Sequence, residues 1–245
     1  TQILSSKYLT LKTPASYNTM MGLALTINNK LNPETEIFVM EMGAFFIGEI
    51  EEMSKALKPN IAIITEIGMQ HLSTFKSIDN IAKAKFEIAS SLDQNGCLIL
   101  NYDNKYIRDF DKTDILTTNI YTYGLKRGDY HIENLVFNGK ETTFSIYHLN
   151  DFILEVKTNL LGRHNVLNIL AAFTTLKALE RYHIYIDNET FQKAMASITP
   201  TLHRLSYREE GMYHIYDDSY SSNIIGFKNA SEVLSMQEGK KIIIT

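Results

Sequence analysis

The chain has 245 residues with 24 Lys and Arg against 28 Asp and Glu, a formal net charge of −4, so it lacks the basic field with which proteins hold nucleic-acid phosphates. No apolar run approaches the ~20 residues needed to cross a bilayer, and the N-terminal residues lack the basic, apolar and small-residue order of a signal peptide; the reading is a cytoplasmic protein without a membrane span. A single cysteine, Cys97 in the run GCLIL, rules out an internal disulfide, fits a reducing compartment and reads as core.

The opening stretch TQILSSKYL has the look of mid-helix and the closing GKKIIIT that of a strand with nothing after it, which predicts a piece of a longer protein. Between them, strand-like runs EIFVMEMGA, NIAIITEIG and GCLILN alternate with the helix-period runs GEIEEMSKALK and SIDNIAKAKFEIASSL. That alternation predicts an α/β fold, a mostly parallel sheet built from right-handed crossovers. The strands lack polar alternation, as expected where helices cover both faces. From about Tyr130 to Leu161 the period changes to two, in HIENLVF, ETTFSIYHL and DFILEVKTNL, separated by NGK and ND, which predicts an antiparallel β insert. A long helix, HNVLNILAAFTTLKALERY, and a shorter one, NETFQKAMASI, follow; Pro200 closes them, and MYHIYDDS opens another strand, helix and strand series. A boundary near Thr199 therefore divides residues 1–198 from 199–245.

In open α/β sheets ligands sit beyond the carboxyl ends of the strands, and three polar features fall there. Glu41 interrupts VMEMGA and either caps a nearby helix or binds a cation; His71 follows a strand in GMQHLSTF as a hydrogen bonder or a ligand. Lys83 and Lys85 lie on the next helix, where a solvated face is the plain alternative. Asn165 and Asn168, three apart in GRHNVLN, share a helix face on which carboxamides could read the edge of a base, or simply cap the helix. The stretch DDSYSSN, from Asp217 to Asn223, is dense enough in short polar groups to be a turn or a site.

Taken together, TPASYNTMMG, VMEMGA, ITEIGMQHLSTFKSIDNIAKAKFEI, LNYDN, GRHNVLNILAA, LHRL and DDSYSSN occur in the order found in the Mur ligase family, and the resemblance spans essentially the whole chain. It implies a central ATP-binding domain of P-loop NTPase-like fold over residues 1–198 and the start of a Rossmann-like C-terminal domain over 199–245. The implied reaction is ATP-driven amide formation in peptidoglycan synthesis, adding D-alanyl-D-alanine to a UDP-muramoyl tripeptide through an acyl phosphate, with ATP and Mg2+, in a monomer. By the same resemblance Glu41 and His71 bind magnesium, and Lys85 aligns with a lysine that several members carry as a carbamate. Lys85, Arg204 and His71 are the catalytic candidates; Asn165, Asn168, Arg204 and Asp218 face ATP; Ser16, Asn18, Ser222 and Asn223 face the substrate. The family's G-x-x-x-x-G-K-S/T phosphate loop occurs nowhere in these residues, so the 245 residues alone are expected to bind ATP poorly and to lack ligase activity. Phe45 and Phe46 stand where members more often carry polar side chains, and Ile224 stands where many carry proline. A folylpolyglutamate or cyanophycin synthetase type of ligase, and a non-catalytic module, are the alternatives.

Overall fold

Residues 1–220 and 224–244 are described in the computed structural model of the chain. Strand β1 (Thr10–Lys12) pairs in parallel with β2 (Ile37–Val39), the connection between them carrying α1 (Met20–Lys30). The Thr19 side chain caps α1 by accepting the Gly22 N–H, filling one of the donors that a helix start leaves open. The chain continues through α2 (Glu49–Leu57), β3 (Ile61–Ile64), α3 (Leu72–Phe75), α4 (Ile78–Phe86), β4 (Cys97–Asn101), α5 (Lys105–Arg108) and β5 (Ile120–Tyr123). Strands β3, β4 and β5 are parallel, as the alternation predicts. Every residue of β4 is buried, Cys97 among them, which is why its sequence shows no polar alternation. Ile50 and Met53 of α2, Ile81 and Phe86 of α4, and Leu98 and Leu100 of β4 share one hydrophobic core.

The period-two segment forms β6 (Tyr130–Asn138), β7 (Glu141–His148) and β8 (Asp151–Thr158), an antiparallel meander. Helix α6 (Arg163–Leu179) and helix α7 (Asn188–Ser197) follow, the latter capped by Asp187 on the Thr190 N–H. Then come β9 (Ser206–Glu210), β10 (Tyr213–Asp217) and α8 (Ile224–Ser235). Leu161, Leu205 and Val233 are buried together, with Tyr207, Tyr216 and Ala230 against them. Among the described residues no helix is long and apolar enough to cross a membrane.

By packing the chain forms two compact units: Thr1–Tyr123 with Phe173–Ile186, and Gly124–Ala172 with Asp187–Thr245. After Thr199 the chain packs, through Leu205 and Val233, with Leu161 at the end of the antiparallel insert. Some expectations are corrected. The run TQILSSKYL makes only a single 3-10 turn, Leu4–Ser6, before entering β1. MYHIYDDS supplies β10, and α8 follows it as expected, but β10 pairs in an antiparallel hairpin with β9, a strand that the sequence reading did not assign. Residues 241–244 form no strand, and Ile242, Ile243 and Ile244 are exposed; an extended run becomes a strand only when a neighbour takes up its N–H and C=O groups.

Candidate functional site

In the first unit the candidate groups lie on the connections that follow strands. The Pro14–Tyr17 turn is closed by the Tyr17 N–H donating to the Pro14 carbonyl at 3.1 Å, with Ser16 at φ 66° in its third position, as in a type II turn. That turn presents Asn18, whose Nδ2 donates to Glu41 Oε1 at 3.2 Å and whose carbonyl accepts the Gly43 N–H at 2.7 Å. A Cβ on Gly43 would stand 2.9 Å from Asn18 Nδ2, so glycine is what lets the two segments approach. The Glu41 N–H donates to Thr13 Oγ1 at 3.3 Å. Glu41 therefore caps no helix; it is an exposed carboxylate held at one oxygen.

Of the two lysines on α4, Lys83 is exposed, as a solvated face requires, whereas Lys85 is half-buried. Burial lowers the Lys85 pKa, and the nearby Glu41 carboxylate partly opposes that shift. Asn18, Glu41 and Lys85 are thus gathered at one place. His71 stands at the start of α3 in the left-handed region, φ 51°, with an exposed ring that meets the Phe45 ring at a centroid distance of 4.4 Å. Among the described residues neither ring nitrogen of His71 has a hydrogen-bond partner, and no three of His, Cys, Asp and Glu are placed to hold a metal ion. An open carboxylate and an open imidazole still fit as donors to a divalent cation; the third donor of the expected set is Lys85 once carbamylated.

Sequence reasoning missed two acids that shape this edge. Glu87, the residue that follows α4, accepts the Gly48 N–H at 2.7 Å and the Glu51 N–H at 3.1 Å, and so caps α2. Glu66 takes a short hydrogen bond from Asn104 Nδ2, which also donates to the Ile67 carbonyl at 2.8 Å. Burial raises the Glu66 pKa, Asn104 opposing and Asp103 adding to the shift. An acid directly after an apolar strand, in IITEIG, was the available signal for Glu66; no local signal marks Glu87.

In the second unit the start of α6 carries the candidates. Asn165 Nδ2 donates back to the Leu161 carbonyl at 2.8 Å, so part of the carboxamide serves the helix start, while Asn168 is exposed. Gly162, at φ +87°, makes the bend before α6; a Cβ there would stand 2.8 Å from Leu205 Cδ2 and 3.0 Å from His164 Cε1. His164 Nδ1 is buried without a hydrogen-bond partner among the described residues. Burial lowers the His164 pKa, with the Asp218 carboxylate opposing and Arg204 adding to the shift. Arg204 lies over the Tyr220 ring, Cζ 4.4 Å from its centroid. The two adjacent acids of DDSYSSN separate in role. Asp217 is the turn former: it accepts from Ser219 Oγ at 2.7 Å, from Arg208 at 2.8 Å, and pairs with His203 at 2.9 Å. Ser219 first, then Arg208 and His203, hold its carboxyl well below the usual range. Asp218 is half-buried, its carboxylate near enough to His164 to act on that ring's charge. Ser222 and Asn223 lie outside the described residues.

Parallel strands alternating with helices, an antiparallel insert, and charged groups beyond the strand ends define an α/β domain of the kind that binds ligands at one sheet edge. Residues 1–176 match the Mur ligase middle domain, and the chain belongs to the Mur ligase family. It is 31% identical, over 99% of its length, to the UDP-N-acetylmuramoyl-tripeptide--D-alanyl-D-alanine ligase of Bacillus subtilis, of which it covers 51%. The crystal structure of MurF from Acinetobacter baumannii superposes with a TM-score of 0.86 at 27% identity, over 97% of this chain and 51% of that one. MurF of Thermotoga maritima in complex with ADP gives 0.83 at 26% identity, over 98% and 53%. The chain thus spans about half the length of the curated relatives it matches.

Proposed function

We propose that the chain is the central part of an ATP-dependent ligase that joins D-alanyl-D-alanine to UDP-N-acetylmuramoyl-tripeptide. The observation that carries this reading is the likeness, along 99% of the chain, to the Bacillus subtilis ligase of that name, combined with the Asn18, Glu41 and Lys85 cluster. Residues 1–198 are then the central ATP-binding domain, and 199–245 the beginning of the C-terminal domain.

In this reaction a carboxylate oxygen of the tripeptide attacks the γ-phosphorus of ATP and ADP leaves; the amine of D-alanyl-D-alanine then attacks the acyl carbon and phosphate departs. Two anions must meet, so the chain has to supply concentrated positive charge. Arg204 offers a bidentate fork to the γ-phosphate. Lys85 has two routes. As an ammonium it neutralises phosphate charge beside Glu41; as the neutral amine favoured by its burial its nitrogen bonds to the carbon of carbon dioxide, one N–H proton is released to water, and the resulting carbamate is an anionic ligand. Magnesium, held by Glu41, His71 and a carbamylated Lys85, would screen the phosphate oxygens when bound. Asn165 and Asn168 face adenine, with Asp218 toward the ribose. Ser16 and Asn18 face the muramoyl substrate, and Ser222 and Asn223 the reacting groups.

The test is isotopic. With 18O in the terminal carboxylate of the tripeptide, the product of the complete open reading frame should release phosphate carrying one 18O atom per amide formed. Phosphate free of the label would overturn the acyl phosphate route.

A further inference from the structure

Phe45 is nearly half exposed, yet its ring is not idle: it packs against the His71 imidazole at 4.4 Å between centroids and 59° between planes. The loop that carries it is fixed from two sides. Glu49, in the first turn of α2, accepts the Phe45 N–H at 2.6 Å and the Phe46 N–H at 2.9 Å through one carboxylate oxygen. Glu87 accepts the Gly48 and Glu51 N–H groups at 2.7 and 3.1 Å, and lies two residues beyond Lys85. On the other side, the His71 backbone is fixed by its carbonyl, which accepts the Thr74 and Phe75 N–H groups at 3.0 and 3.1 Å. What remains free is the imidazole's own rotation, and an exposed ring without a hydrogen bond samples several rotamers.

We propose that Phe45 is a positioning residue that selects the His71 rotamer, so that an imidazole nitrogen is already aimed when a divalent cation arrives. The proposal rests on the magnesium reading above and adds to it a residue that touches neither metal nor substrate. The relay runs from the helix of Lys85 through Glu87, the α2 start and Glu49 to the Phe45 ring, and ends on His71. Pre-aiming raises metal affinity by removing the rotamer loss from the binding step.

The test uses the 245-residue chain, its His71 ring protons assigned by their loss in His71→Gln, with Mn2+ as the paramagnetic probe. In the wild-type chain the Phe45 ring current should displace the His71 ring-proton shifts, and Mn2+ should broaden them. Phe45→Leu should abolish the displacement and raise the Mn2+ concentration for half-broadening about three- to tenfold, the range an aromatic contact carries. Phe45→Tyr should keep both, and Glu49→Gln should fall between. Because Phe45 is 48% exposed, these variants should retain the wild-type amide spectrum. An unchanged ring-proton shift in Phe45→Leu overturns the clamp, and a lost displacement with an unchanged half-broadening concentration overturns the positioning role alone. Absence of any broadening in the wild-type chain at millimolar Mn2+ overturns the magnesium reading and the proposal with it.

Discussion

Gly162→Ala is the substitution whose consequence the structure specifies most closely. Gly162 holds φ +87° at the bend before α6, a region that costs a side-chain-bearing residue ~1–2 kcal/mol. The added Cβ would also stand 2.8 Å from Leu205 Cδ2, and Leu205 is 1% exposed, packed with Leu161 and Val233, so it has little room to swing away. Overpacking of this kind costs ~1–3 kcal/mol, which brings the total to about 2–5 kcal/mol. Gly139→Ala supplies the control: at φ +60° with nothing within 4 Å of its Cβ, it should lose only the ~1–2 kcal/mol conformational part. Urea unfolding followed by far-UV circular dichroism and by tyrosine fluorescence, in a chain with 14 Tyr and no Trp, measures both. A Gly162→Ala loss no larger than that of Gly139→Ala would refute the packing argument, and with it the account of how His164, Asn165 and Arg204 are held.

Glu87→Ala strips two N–H groups of their acceptor at the start of α2 and should cost about 1–2 kcal/mol in the same unfolding assay; a double-mutant cycle with Glu49→Ala should give a non-zero coupling energy. Asp217→Asn should destabilise the β9–β10 hairpin, seen as faster amide exchange over residues 206–217, because it loses the charged acceptor of Arg208 and Ser219. Asp218→Asn should instead weaken nucleotide use in the complete open reading frame product with little change in melting temperature. For His164 the folded pKa lies below the unfolded 6.5, so between those two values the unfolded chain binds the extra proton and stability falls as pH drops. With Asp218 and Arg204 the charged groups facing it, the stability advantage of wild type over His164→Gln should shrink from pH ~7 to pH ~5.5, read as the urea midpoint; a constant difference would contradict a buried neutral imidazole.

The βαβ order and the antiparallel insert were legible because each rests on a local period, seen in the unbroken apolar run of β4 and the alternation of β6, β7 and β8. Glu41 and His71 stood out as candidates from their positions after strands, and Lys85 only through the resemblance to the Mur ligase family; the partners that decide their chemistry are distant in the chain. The Asn18–Glu41 bond spans 23 residues and the Gly48–Glu87 bond 39, and no periodicity carries such pairings. Asp217 and Asp218 are indistinguishable as neighbours in a string. Only the fold turns one toward Arg208 and His203 and the other toward His164. Residues 241–244 have the composition of a strand but pair with no strand among the described residues, and TQILSSKYL makes a single 3-10 turn before β1 begins at Thr10.

The most direct test of the central claim is the amine specificity of the complete open reading frame product. With ATP, Mg2+ and UDP-N-acetylmuramoyl-tripeptide, mass spectrometry should find the nucleotide product extended by one D-alanyl-D-alanine unit, and unextended when L-alanine, D-alanine or glutamate is the only amine offered. Extension by glutamate or a single alanine, or no extension by D-alanyl-D-alanine in a folded protein that binds ATP, would contradict it.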